Sequence, residues 1–204
     1  LRQEAAFLSV GCLIFLVIFG MSLAGQGLLA KDNILGSALQ AYQAMLAAKD
    51  SASSLNFSSA QVNFDTAYQN FLAADQELNK MGRGILSLLE ALPGGSQVTS
   101  GSSLVKAGEN LAQAGQSFSK IASLFLLEKL SDYFSSDQLS LTQKIVEAKK
   151  EIKSAQKYLT QANQNLAQVR SSDLPAELAP RIEELKKSLP AVVTVTGQLE
   201  NWSN

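Results

Sequence analysis

The chain has 204 residues, with 17 Lys and Arg against 18 Asp and Glu, no His and a formal net charge of −1. That balance leaves no electrostatic footprint for a nucleic acid or another polyanion. With no His, and its one Cys (Cys12) inside an apolar run, most transition-metal sites and the usual Ser-His and Cys-His nucleophile systems are excluded.

The chain opens with an uncharged, mostly apolar run from Ala5 to Ala30, bracketed by Glu4 and Lys31. At about 1.5 Å per residue, Ala5 to Ala24 alone gives roughly 30 Å of helix, the thickness of a bilayer's hydrocarbon core. Residues 1–30 are therefore expected to form one transmembrane anchor, and residues 31–204 a soluble domain. A cleaved signal peptide competes, because Ser22-Leu23-Ala24 and Leu29-Ala30 supply small residues near the end of the run. Its apolar core would be only about 7–15 residues behind a clearly basic stretch, and here only Arg2 precedes. A lipidated Cys12 is disfavoured because most of the apolar run follows it, with Ser9 where a branched apolar residue is wanted. Cys12 is read as a small apolar side chain. The flanking charges, Arg2 with Glu4 and Lys31 with Asp32, give almost no orientation bias. We expect the N-terminus inside, the bulk extracytoplasmic, and the whole to be a piece of a longer chain.

After the anchor, apolar residues recur at alternating spacings of four and three, the period of long packed helices. The first stripe is Ile34, Ala38, Ala41, Met45, Ala48 and Ala52, on a helix continuing from the anchor to about Lys49. Ser53-Ser54-Leu55-Asn56 supplies a turn, with Ser58 or Ser59 expected to cap the next helix. The second stripe is Ala60, Phe64, Ala67, Phe71, Ala74, Leu78, Met81, Ile85, Leu88 and Leu92. Gly82 and Gly84 predict a kink or break near Met81 to Gly84, and Pro93-Gly94-Gly95-Ser96 the helix end.

A Ser/Thr/Gly-rich connection is expected through Ser103. The third stripe follows: Leu104, Gly108, Leu111, Gly115, Phe118, Ala122 and Phe125. Gly108 and Gly115 would weaken a lone helix, so they argue for close approach of a neighbour. The patch Ile121 to Leu130 is too short for a second span and is expected to be a buried helix end, with a turn at Ser135-Ser136-Asp137.

The fourth stripe is Leu141, Ile145, Ala148, Ile152, Ala155, Leu159, Ala162, Leu166 and Val169. Glu147 with Glu151, and Lys149 with Lys153, are like-charged pairs at helical spacing and read as a solvated face. Ser172-Asp173-Leu174-Pro175 breaks this helix and starts a fifth, with Leu178, Ile182, Leu185, Leu189, Val192 and Leu199 as its stripe. Pro180 is tolerable in a first turn, whereas Pro190 should kink or end the helix. Trp202 is expected on the bundle or at a junction with a further domain.

The fold class expected is all-α: one N-terminal transmembrane helix, then an elongated antiparallel bundle of four or five long heptad-patterned helices. No constellation for catalysis, cofactor or metal emerges. Glu183-Glu184 and Asp75-Glu77 fall on exposed helical faces with no loop of oxygen ligands, and Gly82-Arg83-Gly84 makes no phosphate cradle. The layout resembles the N-terminal helical region of a mostly bacterial membrane-protein family, the domain-of-unknown-function family 4012. The resemblance lies in the span, the helix Ile34 to Lys49, the Ala60/Phe64/Ala67/Phe71/Ala74/Leu78 segment and the Leu174-Pro175 turn. It implies a cell-envelope location and no known reaction. The family's Asn- and Gly-rich downstream portion is absent after Asn204. The function expected is that of a membrane-anchored stalk or scaffold, not an enzyme, whose partners are the bilayer and a protein or second copy held through heptad faces. The alternatives are a sensory ectodomain or the stalk of an envelope enzyme.

Overall fold

A computed structural model describes residues 28–80, 95–125, 141–174, 176 and 179–203, and among these the chain is entirely helical. The helices are α1 (Leu28–Ser53), α2 (Phe57–Lys80), α3 (Gly95–Phe125), α4 (Leu141–Ala167) and α5 (Ala179–Ser203), with a 3-10 turn at Ser171–Asp173. Among the described residues no helix is long and apolar enough to cross a membrane. The apolar run from Ala5 lies outside them except for its last three residues, which open α1. Also outside are Met81, Ile85, Leu88 and Leu92 with the Gly82/Gly84 kink, the turn at Ser135-Ser136-Asp137, and Leu178; the side chain of Trp202 is likewise not described.

Each helix packs on the next in chain order. Cross-contacts fix the directions. Asn63 Nδ2 donates to Ser51 Oγ at 3.1 Å beside the α1–α2 turn. Phe71 meets Gly108 and Phe64 meets Gly115, so the numbering of α2 and α3 runs in opposite senses. Ser103 pairs with Gln168, and Lys120 with Glu151, reversing α4 against α3. Lys186 reaches the Val169 carbonyl and Gly197 lies against Gln156, reversing α5 against α4.

Apolar burial drives these contacts. Ile34, Ala38, Ala41, Met45 and Ala48 of α1 are buried, as are all six stripe residues of α2 from Ala60 to Leu78. The alternation of Ala with Phe or Leu lets backbones approach while rings fill the flanking space. The α1–α2 turn is tight because Leu55 takes φ 59°, in the left-handed region. Its N–H bonds the Ala52 carbonyl at 3.0 Å and that of Asn56 bonds Ser51 at 2.9 Å, the paired bonds of a Schellman cap. α1 therefore ends at Ser53, a turn beyond Lys49. The cap of α2 is Asn56, not Ser58 or Ser59: its Oδ1 accepts the Ser59 N–H at 3.1 Å.

The expected connection through Ser103 is instead helix from Gly95. Ser96, Ser100 and Ser103 lie at helical spacing, and their hydroxyls find acceptors beyond the end of α4, so the polar segment is ordered by tertiary bonds. The third stripe is buried at Leu104 and Gly108, while Phe118 and Phe125 are exposed; of the patch expected as a buried helix end, residues 121–124 are half-buried and 126–130 lie outside the described residues. Leu141 and Ile145 of α4, and Val192 and Leu199 of α5, are exposed as well, because neighbouring described helices do not cover those stripe ends. α5 also runs through Pro190 to Ser203. Beyond the proline, Thr194 and Thr196 hydroxyls donate to the carbonyls of Pro190 and Val192 at 2.9 and 2.8 Å, satisfying both hydroxyls within the helix.

Candidate functional site

An apolar cavity of about 400 Å³, to which all five helices contribute, interrupts the close packing. α1 supplies Met45 and Ala52, α2 Phe57 and Phe64, and α4 Leu159; longer stretches come from α3 (111–119) and α5 (185–192). None of the described residues lining it is charged, and the polar ones are Ser119 and Ser188. The Ser188 hydroxyl donates to the Leu185 carbonyl at 3.2 Å, so it is turned to its own helix. Phe118 and Val192, 38% and 43% exposed, mark the side open to solvent. At about 24 cal/mol per Å³, a sealed and empty void of this size would cost on the order of 10 kcal/mol, comparable with the whole stability of a domain.

The carboxylates singled out in the sequence take up structural positions. Glu151 is buried rather than solvated: with Glu147 it accepts from Lys120 Nζ, both at 2.6 Å, so a cation from α3 forks between two carboxylates one turn apart on α4. The hydrogen bonds to Glu147 and Glu151 raise the Lys120 pKa above its ordinary value, and the same bond lowers that of Glu147. Lys149 and Lys153 are exposed, as the solvated-face reading has it. Glu183 accepts from Ser171 and Lys186, which holds its pKa below the usual carboxylate range, while Glu184 is exposed. Glu77 pairs with Lys80.

Asp75 and Glu109 come together in a polar cleft with Lys106, Asn110, Gln161, Gln164 and Asn165. Burial, and then the nearby Asp75 charge, push the Glu109 carboxyl above its ordinary pKa. Asn79 Nδ2 donates to Asp75 Oδ2 at 2.7 Å, while the buried Oδ1 has no partner. Among the described residues no three metal-ligating side chains gather, so this cleft offers two carboxylates and a row of amides.

One lock went unrecognised in the sequence. Asp173, with a side chain 7% exposed, accepts from Ser96 Oγ and Ser100 Oγ, each at 2.6 Å, with Arg170 Nε at 3.7 Å. Far from starting the fifth helix, it ties the α4–α5 connection to the first turns of α3. The helical spacing of Ser96, Ser100 and Ser103 is the one sequence signal for this bonding face, and the reading of the stretch as a connection passed over it.

No family model, curated protein or solved structure matches the chain.

Proposed function

We propose that this chain is a membrane-tethered helical scaffold: residues 1–30 anchor it, and residues 31–204 form an elongated antiparallel bundle that presents or spaces other protein parts, without catalysis in this segment. The observation that carries the reading is the seam between α2 and α3, where Phe71 and Phe64 seat directly over Gly108 and Gly115. Ring-over-glycine contacts repeated seven residues apart along two long helices favour a stiff rod over a mobile site. The hydroxyl and ion-pair locks at Asp173 and Lys120 tie α3 to residues at both ends of α4, which adds to that stiffness. The first described helix includes Leu28–Ala30, the last residues of the apolar run, so the end of that run and the rod share one helix, which is consistent with an anchor leading into it. The envelope location in this proposal rests on the sequence resemblance to the domain-of-unknown-function family 4012.

The test is to express the full chain and residues 31–204 side by side. The full chain should stay with the membrane after alkaline carbonate washing, and the shorter one should elute as a folded, elongated monomer by light scattering. Release of the full chain by carbonate would refute the anchor. A defined oligomer of the shorter chain would show that heptad faces are filled between molecules, favouring an assembly subunit over a spacer.

A further inference from the structure

We propose that the cavity shared by the five helices binds the hydrocarbon chain of a single-chain lipid with an uncharged head, of about a dozen carbons. Three observations set the chemistry. Counting each methylene as about one water's share of liquid volume, about 30 Å³, the space of about 400 Å³ holds roughly a dozen. The walls run along α3 from Leu111 to Ser119 and along α5 from Leu185 to Val192, so the space extends about 10 Å, two helical turns, and suits a chain better than a compact ring. The lining is aromatic and aliphatic, with Met45 as an adaptable filler, and the Ser188 hydroxyl is already bonded within its helix.

The same surroundings exclude a charged head. No charged side chain lines the cavity among the described residues. Lys120, adjacent in sequence to the lining Ser119, already serves Glu147 and Glu151. A carboxylate or phosphate head would therefore meet no cation committed to it, whereas a glycerol or similar neutral head would rest at the rim between Phe118 and Val192. The apolar walls offer water entering from the open side few hydrogen-bond partners, so a hydrocarbon chain is the occupant they favour.

The full chain in phosphatidylcholine nanodiscs would be exposed to a monolauroylglycerol analogue carrying a diazirine near its chain end, irradiated, digested and mapped by mass spectrometry. The expected result is saturable labelling within 111–119 and 185–192, competed by unlabelled monolauroylglycerol. It should fall more than about tenfold in each of two filling variants, Ser188→Phe and Ala52→Leu, so that failure of one to fold leaves the other to decide. Labelling absent from both stretches would mean the cavity is closed or taken by the chain itself, and the proposal would be wrong. Labelling that persists in a folded filling variant would place the probe elsewhere and overturn it equally. Equal labelling by phosphatidylcholine bearing the same diazirine would assign the occupant to bilayer tails and refute a single-chain ligand.

Discussion

Replacing each of two glycines by alanine separates close packing from mere helix propensity. A Cβ built on Gly108 would lie 2.5 Å from two ring atoms of Phe71, and one on Gly115 would lie 2.5 Å from Phe64. The two clashes differ in what surrounds the ring. Phe71 is 0% exposed and sits in the continuous core, so it has nowhere to go. Phe64 borders the 400 Å³ cavity and can swing into it. Overpacking costs about 1–3 kcal/mol, offset by about 1 kcal/mol of helix propensity gained on losing a glycine. With Phe71 unable to move, Gly108→Ala takes the upper part of that cost and should lose about 1–2 kcal/mol net, while Gly115→Ala should stay within about 0.5 kcal/mol of the parent. Gly101, with nothing within 4 Å, is the control: Gly101→Ala should gain about 0.5–1 kcal/mol. Urea unfolding followed by circular dichroism reads all three. Should Gly108→Ala prove as stable as Gly101→Ala, the ring-over-glycine seam is not the close contact described here.

Three further perturbations probe separate parts of the molecule. Leu55 is 62% exposed and holds φ 59°, so Leu55→Gly should relieve left-handed strain and raise stability by about 0.5–1 kcal/mol in the same unfolding assay; a loss would contradict the cap geometry. Asp173→Ala removes two charge-assisted bonds and leaves the buried Ser100 hydroxyl, which still accepts the Arg170 N–H, without its acceptor, so it should cost about 3 kcal/mol, and a loss below about 0.5 kcal/mol would dismiss the lock. Glu109 has a folded pKa raised above 4.5, so the folded state holds its proton more tightly than the unfolded chain. Its effect is neutral at acid pH, where both states are protonated, and becomes destabilising as pH rises from the unfolded pKa through the raised folded one. Glu109→Gln should then raise the melting temperature at pH 7 and leave it nearly unchanged at pH 3.5; an equal shift at both would exclude the protonation mechanism.

How much of this was legible in the sequence depends on how many neighbours a helix has. Over the described residues of α2 the stripe is read correctly, because from Ala60 to Leu78 it is regular and all six positions are buried. α3 lies between α2 and α4 and buries more than one face, so Val105, Ala107, Ala112 and Ala114 are as buried as its stripe residue Leu104. A single heptad cannot describe such a helix. Its second face is built from Ala and Ser, whose small side chains carry little periodic hydrophobic signal, and whose serines become core residues only once Asp173 and Gln168 are opposite them. The same reasoning explains Glu151: spacing placed it beside Glu147, but only the third dimension brings Lys120 between them.

The stripes say which way a helix faces and not how far its neighbour extends. Leu141, Ile145, Val192 and Leu199 satisfy the period and still lie exposed. The cavity follows from the same limitation. Near Phe71 a ring fills the space left by a glycine on the facing helix, and the packing closes. Around Phe64 one side of the ring meets Gly115 while the other faces the space bounded by Met45 and Leu189, on helices from the two ends of the described chain. Pairwise periodicity specifies each contact along the chain order, but the gap belongs to five helices jointly, so no stripe taken by itself encodes it.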